Sequence, residues 1–113
     1  MNRTCTVVIN HSIPKEFRKA CKGIPYIGSE ELTFCGHTLA AKWMLDHKKR
    51  LARSTDFYLK FWDDKNNPDW RMMYYWSGSK YSFDEMMEEL RQLATDPVQQ
   101  KADADYINPY LKR

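Results

Sequence analysis

Two aromatic-rich segments, at residues 56–64 and 69–77, are separated by four residues typical of a turn, Lys65, Asn66, Asn67 and Pro68. Aromatic and bulky side chains fit a pleated, half-buried strand. Asn tolerates left-handed backbone, and Pro has no N–H to give a hydrogen-bond ladder. The pattern predicts a β-hairpin, around which the rest of the chain is arranged.

Alternation along these strands predicts one apolar and one mixed face of the hairpin. If Asp64 pairs with Asp69, the apolar face carries Phe57, Leu59, Phe61, Met72, Tyr74 and Trp76. The other face then carries Tyr58, Lys60, Trp62, Arg71, Met73 and Tyr75. Antiparallel sheets commonly bury one face and leave the other in water. A loop of odd length would reverse the relative parity, so these faces depend on the register.

A capping box at Ser82 and Glu85 predicts the start of a helix. Apolar residues then follow at helical spacing: Phe83, Met86, Met87, Leu90, Leu93 and Ala94. We expect this stripe to cover the apolar face of the hairpin. Pro97 predicts the end of the helix, because a proline disfavours helical backbone in the residue before it.

The first half of the chain predicts a strand, a helix, a possible short strand and a second helix. The strand covers residues 4–10, and the first helix follows a Ser12 cap with Pro14 in its first turn. Residues 24–38 are a predicted loop, with a possible strand at 32–35. Thr38 is the predicted cap of a helix over residues 39–53.

The order of elements predicts the α+β class: one small domain with an antiparallel sheet built on a central β-hairpin and about three helices packed mainly on one face. The length of 113 residues fits a single domain. We assign residues 1–95 to the domain and 96–113 to a C-terminal tail. The tail is expected to lie across the domain through Tyr106, Tyr110 and Leu111; the alternative is a peptide that docks on a partner.

Composition and cysteine spacing describe an ordinary globular protein of a reducing compartment. Apolar residues make up 42% and charged residues 29% of the chain. No apolar run approaches the roughly 20 residues that span a bilayer. Cys5, Cys21 and Cys35 are odd in number and widely spaced, which favours free thiols. We predict a cytoplasmic protein without a membrane partner.

Candidate chemistry in the sequence is sparse. Cys35 and His37 place a thiol and an imidazole two residues apart, but no orienting third group can be assigned to complete a catalytic site. No Cys or His spacing typical of zinc sites occurs, and no glycine-rich phosphate loop is present. We therefore predict no catalytic residue, no metal site and no cofactor.

Charge is distributed unevenly along the chain. Residues 1–55 contain ten Lys/Arg and four Asp/Glu, a net +6, whereas residues 56–113 contain eight and eleven, a net −3. Lys48, Lys49, Arg50 and Arg53 are candidate phosphate contacts, together with the basic residues of the first helix. Their alternative is a solvated helix face.

The mixed face of the hairpin is the candidate binding surface. Its candidate residues are Tyr58, Lys60, Trp62, Arg71 and Tyr75. The alternative is that the first helix or the tail buries this face. Aromatic rings beside cations suit the core of a protein interface or a stacking platform for unpaired bases. We expect a non-catalytic inhibitor or adaptor that docks on a protein or nucleoprotein complex. The alternative is an RNA- or DNA-binding module, and the third possibility is a small enzyme with a Cys/His site.

Overall fold

A computed structural model describes residues 3–12, 26–62, 70–78 and 80–111. Its elements are β1 (Cys5–Ser12), β2 (Tyr26–Phe34), α1 (His37–Asp46), α2 (Lys48–Ala52), β3 (Asp56–Trp62), β4 (Trp70–Trp76), α3 (Lys80–Thr95) and α4 (Pro97–Leu111). The strands form one antiparallel sheet in the order β2-β1-β3-β4. The predicted α+β class is confirmed, and the predicted hairpin forms one half of the sheet.

The core lies between one face of the sheet and the helices α1 and α3. Alternate residues of β1 and β3 point into it and are buried: Cys5, Val7, Ile9, Phe57, Leu59 and Phe61. Ala40, Ala41 and Met44 of α1 and Leu90 of α3 meet them. Strand β3 therefore presents the face that its alternation predicts, whereas β1 also buries Thr6 and Val8 on its other side. We call the opposite side of the sheet the outer face.

The second strand is longer than predicted. β2 begins at Tyr26, six residues before the expected strand, and it pairs with the whole of β1. The predicted helix after Ser12 and the predicted turn at residues 65–68 lie outside the described residues.

The register between β3 and β4 changes at a β-bulge. Phe57 pairs with Trp76, as predicted, but Leu59 pairs with Met73. Two steps along β3 are thus matched by three along β4. The extra residue is accommodated at Tyr74, whose φ of 55° lies in the left-handed region.

The bulge corrects the predicted faces of β4. Met72 pairs with Lys60 and so belongs to the outer face, whereas Met73 belongs to the core side. Arg71 pairs with Phe61 and also moves to the core side, so the predicted pairing of Arg71 with Trp62 is wrong. A one-residue shift moves side chains to the opposite face because the strand period is two.

The predicted helix over residues 39–53 is two helices with a break at His47. The His47 ring Nδ1 lies 2.7 Å from the carbonyl oxygen of Trp43, and its backbone N–H donates to both Trp43 and Met44. These contacts occupy carbonyl groups at the end of α1, so the helix ends and the chain turns before α2 begins. Thr38 lies inside α1, not at its cap, which is Gly36.

Helix α3 begins at Lys80, so the predicted cap Ser82 lies within the helix. Gly78, with φ of 80°, turns the chain from β4 toward α3 two residues before that start. Asp96 ends α3 and also caps α4, since its Oδ1 accepts the backbone N–H of Val98 at 2.9 Å. Pro97 occupies the first position of α4, where its missing N–H is harmless.

Candidate functional site

The ring of Trp62 is fixed on the outer face by neighbouring threonines. Its Nε1–H donates to the Thr6 hydroxyl at 3.1 Å. The Thr6 hydroxyl in turn lies 3.0 Å from the hydroxyl of Thr33, in the next strand. The indole is therefore held in one orientation, because its polar edge is bonded to the sheet.

Lys60 lies beside this ring. Its Nζ is 5.8 Å from the centre of the Trp62 ring, within the range of a cation–π contact, and 3.3 Å from Oε1 of Glu31. The lysine stem is mostly buried, while Glu31 is exposed. The charge of Lys60 is thus shared between an aromatic face and a carboxylate, which limits its freedom to move.

A second aromatic pair extends the outer face toward β4. The rings of Tyr58 and Tyr75 are 6.4 Å apart and tilted at 40°. Tyr75 is exposed, and so is Met72, which lies on the same face through its pairing with Lys60. The structure therefore brings together four of the five predicted binding residues, Tyr58, Lys60, Trp62 and Tyr75.

Arg71, the fifth, is exposed on the other side of the sheet, near His37. We define the hairpin surface as Tyr58, Lys60, Trp62, Met72 and Tyr75. Alternation alone contains no information on a bulge, which is why it predicts Met72 on the apolar face.

The residues predicted to contact phosphate differ in whether they have partners within the protein. Lys48, Lys49 and Arg53 are exposed at α2 and its end. Arg50 is also exposed, but it forms an ion pair with Glu30 and lies 5.8 Å from the centre of the Trp43 ring. Three of the four predicted cations therefore point to water without a described ion pair.

Cys35 and His37 occupy different environments. Cys35 is exposed, whereas the His37 ring packs on Phe61 with centroids 4.3 Å apart. Burial, together with the charges of Arg3 and Arg71, lowers the pKa of His37 to about 4. The imidazole is therefore neutral at pH 7 and a weak base.

A buried polar cluster, absent from the sequence predictions, joins α4 to α1. Arg3 Nε donates to Oδ1 of Asp103 at 2.9 Å, and both side chains are almost fully buried. Asp103 also accepts the backbone N–H groups of His37 and Thr38 at 3.0 and 2.7 Å and the Thr38 hydroxyl at 2.6 Å. It thereby caps α1 from a distant helix.

These contacts set the charge of the cluster. Burial opposes ionisation of Asp103, but the hydrogen bonds from Thr38, Arg3 and His37 outweigh it and hold its pKa below the ordinary value. Burial, aided by the charge of Asp103, raises the pKa of the Cys5 thiol to about 12. The cluster thus contains a carboxylate, a guanidinium and a nearby thiol that stays protonated. Its role is to stabilise the fold.

An open groove of about 620 Å³ lies between β4 and the junction of α3 and α4. We call it the β4–α3 groove. Its lining consists of Met72, Met73, Tyr74, Glu89, Gln92, Leu93, Asp96 and Gln99. Both of its charged residues are acidic. The groove adjoins the hairpin surface at Met72, so the two form one continuous region around strand β4.

The described part of the chain contains no group of three or more His, Cys, Asp or Glu side chains that could hold a metal ion. Among the described helices, none has the length and apolar character needed to cross a membrane.

The fold and this region define a small single-domain α+β protein with an aromatic surface on one half of its sheet. Comparison of the chain with known protein families, with curated proteins and with solved structures gives no match.

Proposed function

We propose that this protein is a non-catalytic binding protein, an inhibitor or adaptor, that docks on a protein or nucleoprotein complex through the hairpin surface. One observation carries the proposal. Of the five exposed large apolar side chains in the described residues, three lie on β4: Met72 at 48% and Tyr75 at 49% exposure on the hairpin surface, and Met73 at 40% on the opposite side of the sheet. Such a concentration on one edge strand is typical of an interaction site.

The chemistry of these side chains suits a protein interface. Aromatic residues and methionine are enriched in interface cores, and methionine adapts its shape to a partner. Trp62 is already ordered by its bond to Thr6, so binding costs little side-chain entropy there. A tryptophan that becomes buried against a partner is a common central anchor of an interface.

The free thiols of Cys5 and Cys35 are consistent with a reducing compartment, and we place the protein in the cytoplasm.

Direct nucleic-acid binding is the second candidate. It is favoured by the exposed Lys48, Lys49 and Arg53 and by the rings of the hairpin surface, which could stack on bases. Salt dependence separates the two, since each phosphate contact releases counterions and steepens the loss of affinity.

The test begins with capture of partners from the native host extract on the immobilised protein, with and without nuclease. Protein partners that survive nuclease treatment support the proposal, and loss of all bound material supports the nucleic-acid alternative. The affinity of an identified partner is then measured for the wild type, Trp62→Ala, Tyr75→Ala and Val98→Ala. Val98 is the matched control, because it is the most exposed large apolar side chain and lies on α4.

We expect Trp62→Ala to weaken binding by about 2 kcal/mol or more, roughly 30-fold. Tyr75→Ala should also weaken it, whereas Val98→Ala should not. Lys48→Ala and Lys49→Ala should have little effect on a protein partner and a clear effect on a nucleic acid. Equal affinities for the wild type and both hairpin variants, each verified as folded by circular dichroism, would contradict the proposal.

A further inference from the structure

The β4–α3 groove combines an apolar wall with an acidic rim. Met73 and Tyr74 line it from β4, and Leu93 lines it from α3. Glu89 and Asp96, seven residues apart, fall on the same side of the helical segment, about two turns from each other. The groove therefore combines apolar side chains with two carboxylates.

We infer that the β4–α3 groove binds a cationic, amphipathic segment of a partner protein, with Lys or Arg side chains at Glu89 and Asp96 and apolar side chains against Met73 and Leu93. The inference rests on the proposed function and adds the chemistry of the partner. The groove shares only Met72 with the hairpin surface, so variants at the other residues test each site separately.

The charges around the groove favour a cationic occupant. Within the described residues, Glu89 forms no ion pair, and Asp96 accepts the Val98 N–H without a cation beside it. The neighbouring cations of α3 and α4 are already engaged, Arg91 with Glu88 and Lys101 with Asp105. Among the described residues, neither carboxylate of the lining is therefore neutralised by an ion pair.

Arg71 shares the core side of the sheet with Met73 but does not line the groove. The bulge at Tyr74 sets the register that places Arg71 opposite Phe61, near His37, and Arg71 is not in the lining. Burial raises the pKa of Tyr74, and the charge of Glu89 adds to this effect. The Glu89 carboxylate is thus close enough to Tyr74, in the groove wall, to raise the pKa of its hydroxyl.

The bulge also favours side-chain contact over strand addition. It breaks the regular run of hydrogen-bonding groups along β4, which is an edge strand. A partner segment would therefore be recognised through its apolar and charged side chains. Methionine suits such contact, because its flexible side chain adapts to different shapes.

The experiment uses the full chain and three labelled twelve-residue peptides, with binding followed by fluorescence anisotropy. The first peptide contains Lys and Leu at helical spacing. The second has Glu in place of each Lys, and the third has Ser in place of each Leu. The variants are Glu89→Lys and, as a matched control, Asp84→Lys, which makes the same charge change about 140° around α3.

We expect the Lys/Leu peptide to bind the wild type and to lose at least tenfold in affinity with Glu89→Lys, but less than threefold with Asp84→Lys. The Glu/Leu peptide should bind Glu89→Lys better than it binds the wild type. Amide chemical-shift changes in ¹⁵N-labelled protein should include Gln92 and Leu93. Together these outcomes would support a charged, apolar site in the groove.

The inference is overturned if the two variants lose affinity equally, if the Lys/Ser peptide binds as well as the Lys/Leu peptide, if shift changes lie outside the groove, or if no Lys/Leu peptide binds. Partner capture that depends on Trp62, in the absence of peptide binding, would mean that only this inference fails. Peptide binding in the groove, with no effect of Trp62→Ala or Tyr75→Ala on partner capture, would mean that the hairpin proposal fails alone.

Discussion

Asp103→Asn tests the buried cluster that joins the two ends of the described chain. Asn keeps the shape of Asp but has no charge, and one of its two terminal groups is a donor. The four hydrogen bonds described for Asp103 all come from donors on Arg3, His37 and Thr38. At least one of these donors would therefore face the amide NH2 group, and Arg3 would lose its buried counterion.

The cost follows from burial. The side chains of Arg3 and Asp103 are 8% and 5% exposed, so water does not replace the lost partner. Removing one member of a buried pair costs about 3–5 kcal/mol, a figure that includes the unpaired charge left behind. We expect Asp103→Asn to lower the free energy of unfolding by about 4 kcal/mol. That is a large part of the roughly 5–15 kcal/mol that holds a domain together.

Urea denaturation at pH 7, followed by tryptophan fluorescence and far-UV circular dichroism, measures this change. Asp105→Asn is the control, because Asp105 forms an exposed ion pair with Lys101 and should cost less than about 0.5 kcal/mol. Arg3→Met and the double variant complete a mutant cycle, in which Arg3 and Asp103 should be coupled by more than 1 kcal/mol. A loss below about 1 kcal/mol for Asp103→Asn, or additive effects in the cycle, would refute the reasoning.

Three further predictions concern the start of α1 and the packing of α3. Gly36→Ala should cost about 1–2 kcal/mol, since its Cβ would lie 2.9 Å from Cγ of Asp103; the cost should shrink in an Asp103→Ala background, and denaturation in both backgrounds would check it. The folded protein binds a proton at His37 less readily than the unfolded chain does, so the free energy of unfolding should fall by roughly 2 kcal/mol as the pH is lowered from about 6.5 to 4. A His37→Gln variant measured over the same pH range should not show this fall. Phe83→Ala should cost about 3 kcal/mol through its contacts with Trp76, and an unchanged melting temperature would disprove this.

Apolar periodicity predicted the elements that use apolar packing. The alternation in β3 identified its buried residues Phe57, Leu59 and Phe61, and the helical stripe of α3 identified Leu90. The same logic failed at β4. A single extra residue in the strand changes the face of all residues before it, and nothing in the alternation marks Tyr74 as that residue.

Helix α4 shows a second limit. It has no apolar stripe, and its buried anchor is the carboxylate of Asp103, whose partners Arg3 and Thr38 are far away in sequence. The available signal was the pair Asp96 and Pro97. Pro97 predicts the end of α3, but an Asp followed by Pro is equally typical of a cap and first residue of a new helix.

The candidate surface was predictable only where its strand is regular. Tyr58, Lys60 and Trp62 belong to the regular strand β3, so parity placed them correctly. Arg71 and Met72 lie beyond the bulge and were exchanged between faces. The β4–α3 groove depends on the packing of α3 and α4 against an edge strand, a long-range arrangement that local patterns do not contain.

The contact between Arg3 and Asp103 joins residues 100 positions apart, which bears on the order of folding. Among the described residues, the N-terminus of α1 has no side-chain cap from its own cap residue, Gly36, and receives one from Asp103. On a ribosome, α1 would therefore be synthesised more than 60 residues before its cap. Long-range contacts of this kind slow folding, because chain entropy must be lost before they form. We expect β1, β3 and α1 to associate first and α4 to close the domain in a late step.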